Sequence, residues 1–298
     1  MRKGSKIRMD RIDKILSHEG FGSRKDVRKL LHRSEVTVNG RRIFDPSFQI
    51  DTSTAQIVID GAALNLHDEF YIMMNKIVHT VCSTKEGSHQ TVFDLLDDSY
   101  RTPYLKSRLH MIGRLDMDTE GLLLFTTDGA LTHRIISPKN CVDKTYFCVL
   151  EHDEGAEHRK EIERLFADGI AVDADDNDPA FVCESAAIRW PDEAEISRYT
   201  ENSSFGSECA DFSASQGNTA ILTIHEGKYH QVKRMFAAVG NRVVFLKRVS
   251  IGGLNLDLTL RPGEYRHLLP DEISALQQCL KTTTFLYKIT QNLRSAER

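Results

Sequence analysis

The run Met111-Ile112-Gly113-Arg114-Leu115-Asp116-Met117-Asp118-Thr119-Glu120-Gly121 leads directly into the apolar stretch Leu122 to Phe125. That stretch reads as a strand. Its period of two, carried back through the run, turns Arg114, Asp116, Asp118 and Glu120 to one face and Leu115, Met117 and Thr119 to the other. A carboxylate then sits at a sheet edge within reach of a cation. This suits an ionised Asp acting as nucleophile or base, because an opposite charge nearby favours the charged form. A solvated acidic turn accounts for the same residues. A calcium loop does not: counted from Asp116, the twelfth position, where an EF-hand places a bidentate Glu, is Thr127.

Around this run lie 298 residues, 40% of them hydrophobic, enough for roughly two globular domains. No apolar run approaches the ~20 residues that span a bilayer. The basic start Met1 to Arg8 is followed by Asp10, Arg11 and Asp13 instead of an apolar signal core, so a soluble, cytoplasmic protein is expected. The six cysteines form no Cys-x-x-Cys pair and lie in apolar stretches, which points to reduced thiols and to neither zinc nor disulfides.

The net charge of -4 hides an asymmetry. Residues 1–60 hold 13 Lys and Arg against 8 Asp and Glu, whereas residues 151–217 hold 5 against 18. A polyanion senses the local field, so basic ends can bind RNA despite an acidic insert. Near the N-terminus, Ser23 and Asp26 make a capping box, and Val27, Leu30 and Leu31 recur at helical spacing. Arg24, Lys25, Arg28, Lys29 and Arg33 are left on the outer face. Next, Asn39-Gly40 between two short alternating runs signals a hairpin carrying Arg41 and Arg42. A merely solvated helix face is the ordinary reading of such a charge run.

Downstream, residues 71–74, 122–127, 145–150, 219–225 and 243–246 read as strands. Residues 91–97, 129–136, 157–167 and 229–239 read as helices, the last one capped by Gly240. A sheet with helices packed on it is expected. Residues 218–270 hold 8 Lys and Arg against 3 acids, and Gly227-Lys228-Tyr229-His230-Gln231-Val232-Lys233-Arg234 is dense in hydrogen-bonding and cationic groups where a strand hands over to a helix. The segment 173–217, acidic and then Ser-rich, is expected to be a mobile loop facing away from any RNA cleft.

Two resemblances gather these motifs. Arg11-Ile12-Asp13-Lys14-Ile15-Leu16, Ser23-Arg24-Lys25 and Val36-Thr37-Val38-Asn39-Gly40 resemble an S4 RNA-binding domain. Gly113-Arg114-Leu115-Asp116, Lys144-Thr145-Tyr146, Glu226 to Phe236 and Arg261-Pro262-Gly263-Glu264-Tyr265-Arg266 resemble the RsuA family of pseudouridine synthases. Val81-Cys82-Ser83-Thr84, His133 to Pro138 and Ala237 to Asn241 are most similar to its small-subunit branch. The resemblance implies an α+β chain. A small S4 (α-L) domain at 9–60 and a linker at 61–68 would precede a mixed, mainly antiparallel catalytic sheet with flanking helices at 69–275, and a helix or tail would follow at 276–298.

The resemblance also implies roles. Asp116 would be catalytic in breaking the uridine N1–C1′ bond, Tyr146 would stack on the base and assist loss of the C5 proton, and Lys233 would pair with Asp116. Arg114 and Arg234 would hold phosphates or the flipped nucleotide, the cations Arg24, Lys25, Arg28, Lys29, Arg41 and Arg42 would hold RNA, and Leu246 and Arg248 would line the pocket. No cofactor or metal is implied. The implied partner is 16S rRNA or the assembling small subunit, met by a monomer away from membranes. Asn75-Lys76-Ile77 departs from the family's Asn-Lys-Pro, so a differently shaped loop is expected at 75–80. A large-subunit (23S) synthase and a non-catalytic S4-type RNA-binding protein are the alternatives.

Overall fold

A computed structural model describes residues 9–278 apart from 20, 53, 65, 67, 68, 85, 86, 102 and 175–177. The basic extension 1–8, Asp175 to Asn177 and the tail beyond 278 lie outside the described residues. Contacts divide the chain into two units, residues 1–69 with 98–109 and residues 70–97 with 110–298.

In the first unit, β1 (Met9–Arg11) leads into α1 (Ile12–His18) and α2 (Arg24–Arg33). The capping box forms as expected: the Ser23 side chain accepts from Asp26 N–H, and Asp26 accepts from Ser23 N–H at 3.1 Å. β2 (Val36–Val38) and β3 (Arg41–Arg42) make the hairpin, with Asn39 (φ 50) and Gly40 (φ 79) both left-handed as a tight two-residue turn requires. After β4 (Gln49–Asp51) comes β5 (Ile57–Ile59), which pairs with both β2 and β6 (Ala62–Leu64). The stretch 61–68, expected as a linker, therefore carries a strand of this sheet. Ile12, Leu16, Val27, Leu31, Val36, Val38 and Ile57 form the core of the unit.

The second unit is built on one sheet. Its strands are β7 (Tyr71–Lys76), β8 (His110–Ile112), β9 (Thr119–Thr126), β10 (Lys144–Leu150), β13 (Ala187–Arg189), β14 (Thr219–Ile224), β15 (Val243–Ile251), β16 (Leu254–Asn255) and β17 (Tyr265–His267). The strands β11 (Ala171–Val172) and β12 (Phe181–Val182) pair apart from it. The sheet order is β13-β14-β10-β15-β9-β7-β17. Only β15 and β9 run parallel among its pairs, in the register Leu246↔Thr119, Lys247↔Glu120, Arg248↔Gly121. Every residue of β9 is buried, as befits an interior strand covered on both faces. Gly121 is required there, since a Cβ would lie 2.3 Å from the Arg248 carbonyl oxygen.

The helices are α3 (Pro103–Arg108), which groups with the first unit, α4 (Gly129–Ile136), α5 (Ala156–Asp168), α6 (Glu193–Thr200), α7 (Phe205–Glu208) and α8 (Gln231–Ala238). Residues 270–278 are also helical. Gly240 closes α8 as expected: its N–H donates to Ala237 O (3.0 Å) and that of Asn241 to Phe236 O (3.0 Å). The expected helix at 91–97 is instead a string of turns. There the Asp94 carboxylate accepts from the Thr91 N–H and hydroxyl, while Thr91 bridges to Val81.

The segment 173–217 is folded, in its described residues, where a mobile loop was expected. It supplies β13 to the sheet, and Ile196, Phe205 and Cys209 pack with Phe147, Ile221 and Phe245. Its charge misleads because acidic residues occupy the outer faces of elements whose apolar residues are spaced too irregularly to show a period.

Candidate active site

The expected continuous strand through 114–120 is interrupted. Residues 116–119 form a turn, closed by Thr119 N–H donating to Asp116 O (3.1 Å), and β9 begins at Thr119. The turn holds Asp116 and Asp118 outside, while Glu120 goes into the interior, so the four charged residues do not share a face.

Several groups fix this turn from behind. The Lys76 ammonium, fully buried, donates to the carbonyls of Thr119 (3.0 Å), Ile77 (3.1 Å) and Met117 (3.4 Å), and the His79 N–H donates to Met117 O (2.8 Å). Burial pulls the Lys76 pKa down to about 8. Leu115 N–H donates to Cys82 Sγ (3.3 Å). Arg248, 2% exposed, donates from Nε to Leu122 O (2.8 Å) and from Nη1 to Arg114 O (3.4 Å). Glu120 lies 3.0 Å from the Lys247 ammonium and accepts from both the N–H (2.8 Å) and the hydroxyl of Ser204.

In front of the turn opens a cavity of about 920 Å³. Asp116 lines it with its side chain about one-third exposed, 3.7 Å from His230 Nε2 and 4.0 Å from Lys233 Nζ. Lys233 reaches Asp118 more closely, at 2.5 and 2.7 Å. Burial raises the Asp118 pKa, but the Lys233 hydrogen bond and charge outweigh it and hold the carboxyl below its ordinary value. Lys233 thus bridges two carboxylates, Asp118 at hydrogen-bonding distance and Asp116 at the limit of an ion pair. Tyr146, 7% exposed, and Leu246 form part of the wall, and the exposed Arg114 lines the mouth.

The site expectations therefore divide. Asp116, Tyr146, Lys233, Arg114 and Leu246 line one cavity. Arg234 and Arg248 do not. Arg234 donates to the carbonyls of Asp173 and Pro179 (2.9 Å) and lies over the Phe181 ring at 4.5 Å, so its charge ties α8 to the 173–182 segment. Arg248 is turned inward because the parallel register sets it against Gly121, where the backbone of β9 offers it carbonyls. In the first unit Arg24, Lys25, Arg28, Lys29, Arg41 and Arg42 are exposed.

Sequence reasoning missed His230 and the rear support of the turn. His230 ends the approach to α8 in the left-handed region (φ 47), which shortens the helix expected from 229 and turns the imidazole toward Asp116. Its place where a strand hands over to a helix was the available signal. Lys76 stood in the Asn75-Lys76-Ile77 stretch, read there only for loop shape, and Lys247 and Ser204 gave no signal, being single residues in unrelated stretches.

With this geometry in view, comparison with known proteins is informative. Residues 70–238 match the family described as RNA pseudouridylate synthase, and residues 10–55 match the S4 domain. A Bacillus subtilis (strain 168) protein named uncharacterized RNA pseudouridine synthase YtzG is 38% identical, over 90% of this chain and 98% of its own. The ribosomal small subunit pseudouridine synthase A of Vibrio cholerae is 37% identical, over 89% and 99%. A crystal structure of a pseudouridylate synthase is 32% identical, with a TM-score of 0.55 over 89% of this chain and 99% of that one.

Proposed function

Since the chain belongs to the RNA pseudouridylate synthase family, we propose that it isomerises a uridine of small-subunit (16S) ribosomal RNA to pseudouridine, with Asp116 as the reacting carboxylate. The observation that carries this reading is an accessible carboxylate set between two nitrogen bases at a cavity walled by a tyrosine. The small-subunit relatives, aligned over nearly their whole length, support the target.

In the reaction the N1–C1′ bond breaks, the freed uracil rotates, C5 bonds to C1′, and C5 gives up its proton while N1 gains one. A uridine within RNA structure reaches the cavity only when flipped out of its stack, at a few kcal/mol of unstacking. The Asp116 carboxylate serves as nucleophile or as the counter-charge at the sugar–base bond. Lys233 and His230 hold that carboxylate toward the cavity. Tyr146 offers a ring to the base and a phenol oxygen for the C5 proton. Arg114 at the mouth meets the flanking phosphate, and the exposed cations of the first unit take phosphates farther along the RNA, so affinity falls steeply with salt.

The enzyme is proposed to act as a monomer in the cytoplasm, on free 16S rRNA or on the assembling small subunit. No described helix is long and apolar enough to cross a membrane.

The test is release of tritium from C5-labelled uridine in rRNA, offered as free transcript and as partly assembled subunit, with mapping of the modified position. Release with wild type that is lost in Asp116→Asn while RNA binding persists is expected. Modification only of large-subunit RNA would move the target. Binding without release by wild type would leave an RNA-binding protein.

A further inference from the structure

Seven large apolar side chains are notably exposed among the described residues, and three of them, Met117 (40%), Ile136 (50%) and Tyr229 (44%), line the one cavity that holds Asp116. They come from separate places: the catalytic turn, the end of α4 and the approach to α8. Apolar surface gathered from three elements onto one rim marks a binding surface.

We propose that these residues form a second base-binding subsite, in which Tyr229 stacks on an unpaired nucleobase next to the target uridine. The proposal rests on the reading above and adds a contact to it.

Three observations favour a nucleobase as the occupant. Tyr229 lies flat against His230, ring centroids 3.7 Å apart and planes at 26°, so one face of the phenol ring is backed by an imidazole while the residue stays 44% open. A ring held in this way is a stacking platform that has already lost its freedom to swing. The left-handed conformation of His230 produces the arrangement and also brings its Nε2 to 3.7 Å from Asp116, which sets the platform one ring away from the reacting carboxylate. Second, the cavity, about 920 Å³, is at the upper end of the ~300–1,000 Å³ typical of ligand clefts, roomier than a single uracil needs. Third, the exposed Arg114 lines the same cavity, beside Lys228 and Lys233, whose charges are met by Glu226 and by Asp118 and Asp116; a cation at the mouth suits a strand with a phosphate on each side of every base and gives no reason for an apolar peptide. Met117 and Ile136 then supply apolar edges against which the stacked base is desolvated.

The subsite predicts coincident losses. Once the modified uridine is mapped, each neighbour within two nucleotides on either side is replaced in turn by an abasic residue. With the full-length wild-type protein, KM should rise roughly tenfold at one of these positions, the scale of one lost base–aromatic stack. Tyr229→Ala should raise KM on intact RNA by a similar factor and be indifferent to the abasic residue at that position. Tyr229→Trp should restore both the affinity and the sensitivity. Thermal melting should show Tyr229→Ala folded as wild type. The proposal fails if wild type tolerates every abasic neighbour, if Tyr229→Ala keeps its KM, or if the two losses multiply instead of coinciding. Absence of pseudouridine in any rRNA with wild type would instead overturn the function on which the subsite rests, and is read before any variant is made.

Discussion

Lys233 meets Asp118 where water reaches both, and Lys247 meets Glu120 where water reaches neither. The side chains of the first pair are 24% and 64% exposed and those of the second 1% and 0%, yet the two carboxylates are two residues apart. The turn at 116–119 makes the difference by keeping its own acids outside and delivering Glu120 into the sheet. An exposed pair adds little to stability and leaves its lysine able to serve a second carboxylate, here Asp116. A sealed pair is costly to break because the surviving partner is left as an uncompensated buried charge. The same pairing, shifted by two residues, lies at the cavity on one side and inside the framework on the other.

That contrast breaks most visibly at Asp116 and Glu120. Asp116→Asn should lower turnover on the order of 10³-fold or more, measured by tritium release, with a melting temperature near that of wild type. Glu120→Ala should do the reverse first, losing about 3–5 kcal/mol in urea denaturation because Lys247 is stranded. Glu120→Leu combined with Lys247→Met should recover most of it; a double variant as unstable as the single would show that the pair does more than neutralise itself.

The buried lysine behind the turn sharpens the comparison through pH. The Lys76 pKa falls from an ordinary 10.5 to about 8 on burial, so between these values the folded chain binds fewer protons than the unfolded one. Stability from this group therefore rises as pH goes from about 8 to about 10.5, at up to ~1.4 kcal/mol per unit, a few kcal/mol in all. Lys144 adds a rise of the same sign, its pKa drawn down to about 8 by burial and by the Arg248 charge. Denaturation of wild type and Lys76→Met at pH 7.5, 9 and 10.5 should show a widening gap in favour of wild type; parallel curves would mean that Lys76 keeps its ordinary pKa.

The smallest effect is expected at Ser204→Ala, which removes one of the two hydrogen bonds from Ser204 to the Glu120 carboxylate and should cost about 2 kcal/mol. Ser204→Thr should restore most of it.

How far the sequence could be read follows from the range of each interaction. Patterns closed within a few residues were legible: the Ser23–Asp26 capping box, the Asn39-Gly40 hairpin and the Gly240 cap all formed. The long strands β7, β9, β10, β14 and β15 were located by their apolar runs, whereas the short strands β8, β13, β16 and β17 were not, and neither was the parallel register of β9 and β15, because nothing local specifies that Glu120 will face Lys247. The same limit governed the cations. Arg114 and Lys233 reached the cavity, whereas Arg234 and Arg248 were claimed by backbone carbonyls far away in sequence, and a count of positive residues cannot tell the two fates apart. The acidic surplus at 151–217 concealed two helices and a sheet strand for a similar reason: composition registers the outer faces, while Phe205 and Ile196 find their partners across the sheet.

The order of strands bears on how the enzyme is born. Asp116 stands in the turn that leads into β9 and Tyr146 on β10, and β15, made later than either, lies between those strands. A polypeptide emerging from the ribosome possesses Asp116, Tyr146 and Lys233 once residue 233 is complete, but the strand that joins the two halves of the sheet arrives only with residues 243–251. The nascent chain therefore holds Asp116, Tyr146 and Lys233 before it holds the strand that sets β9 and β10 into one sheet.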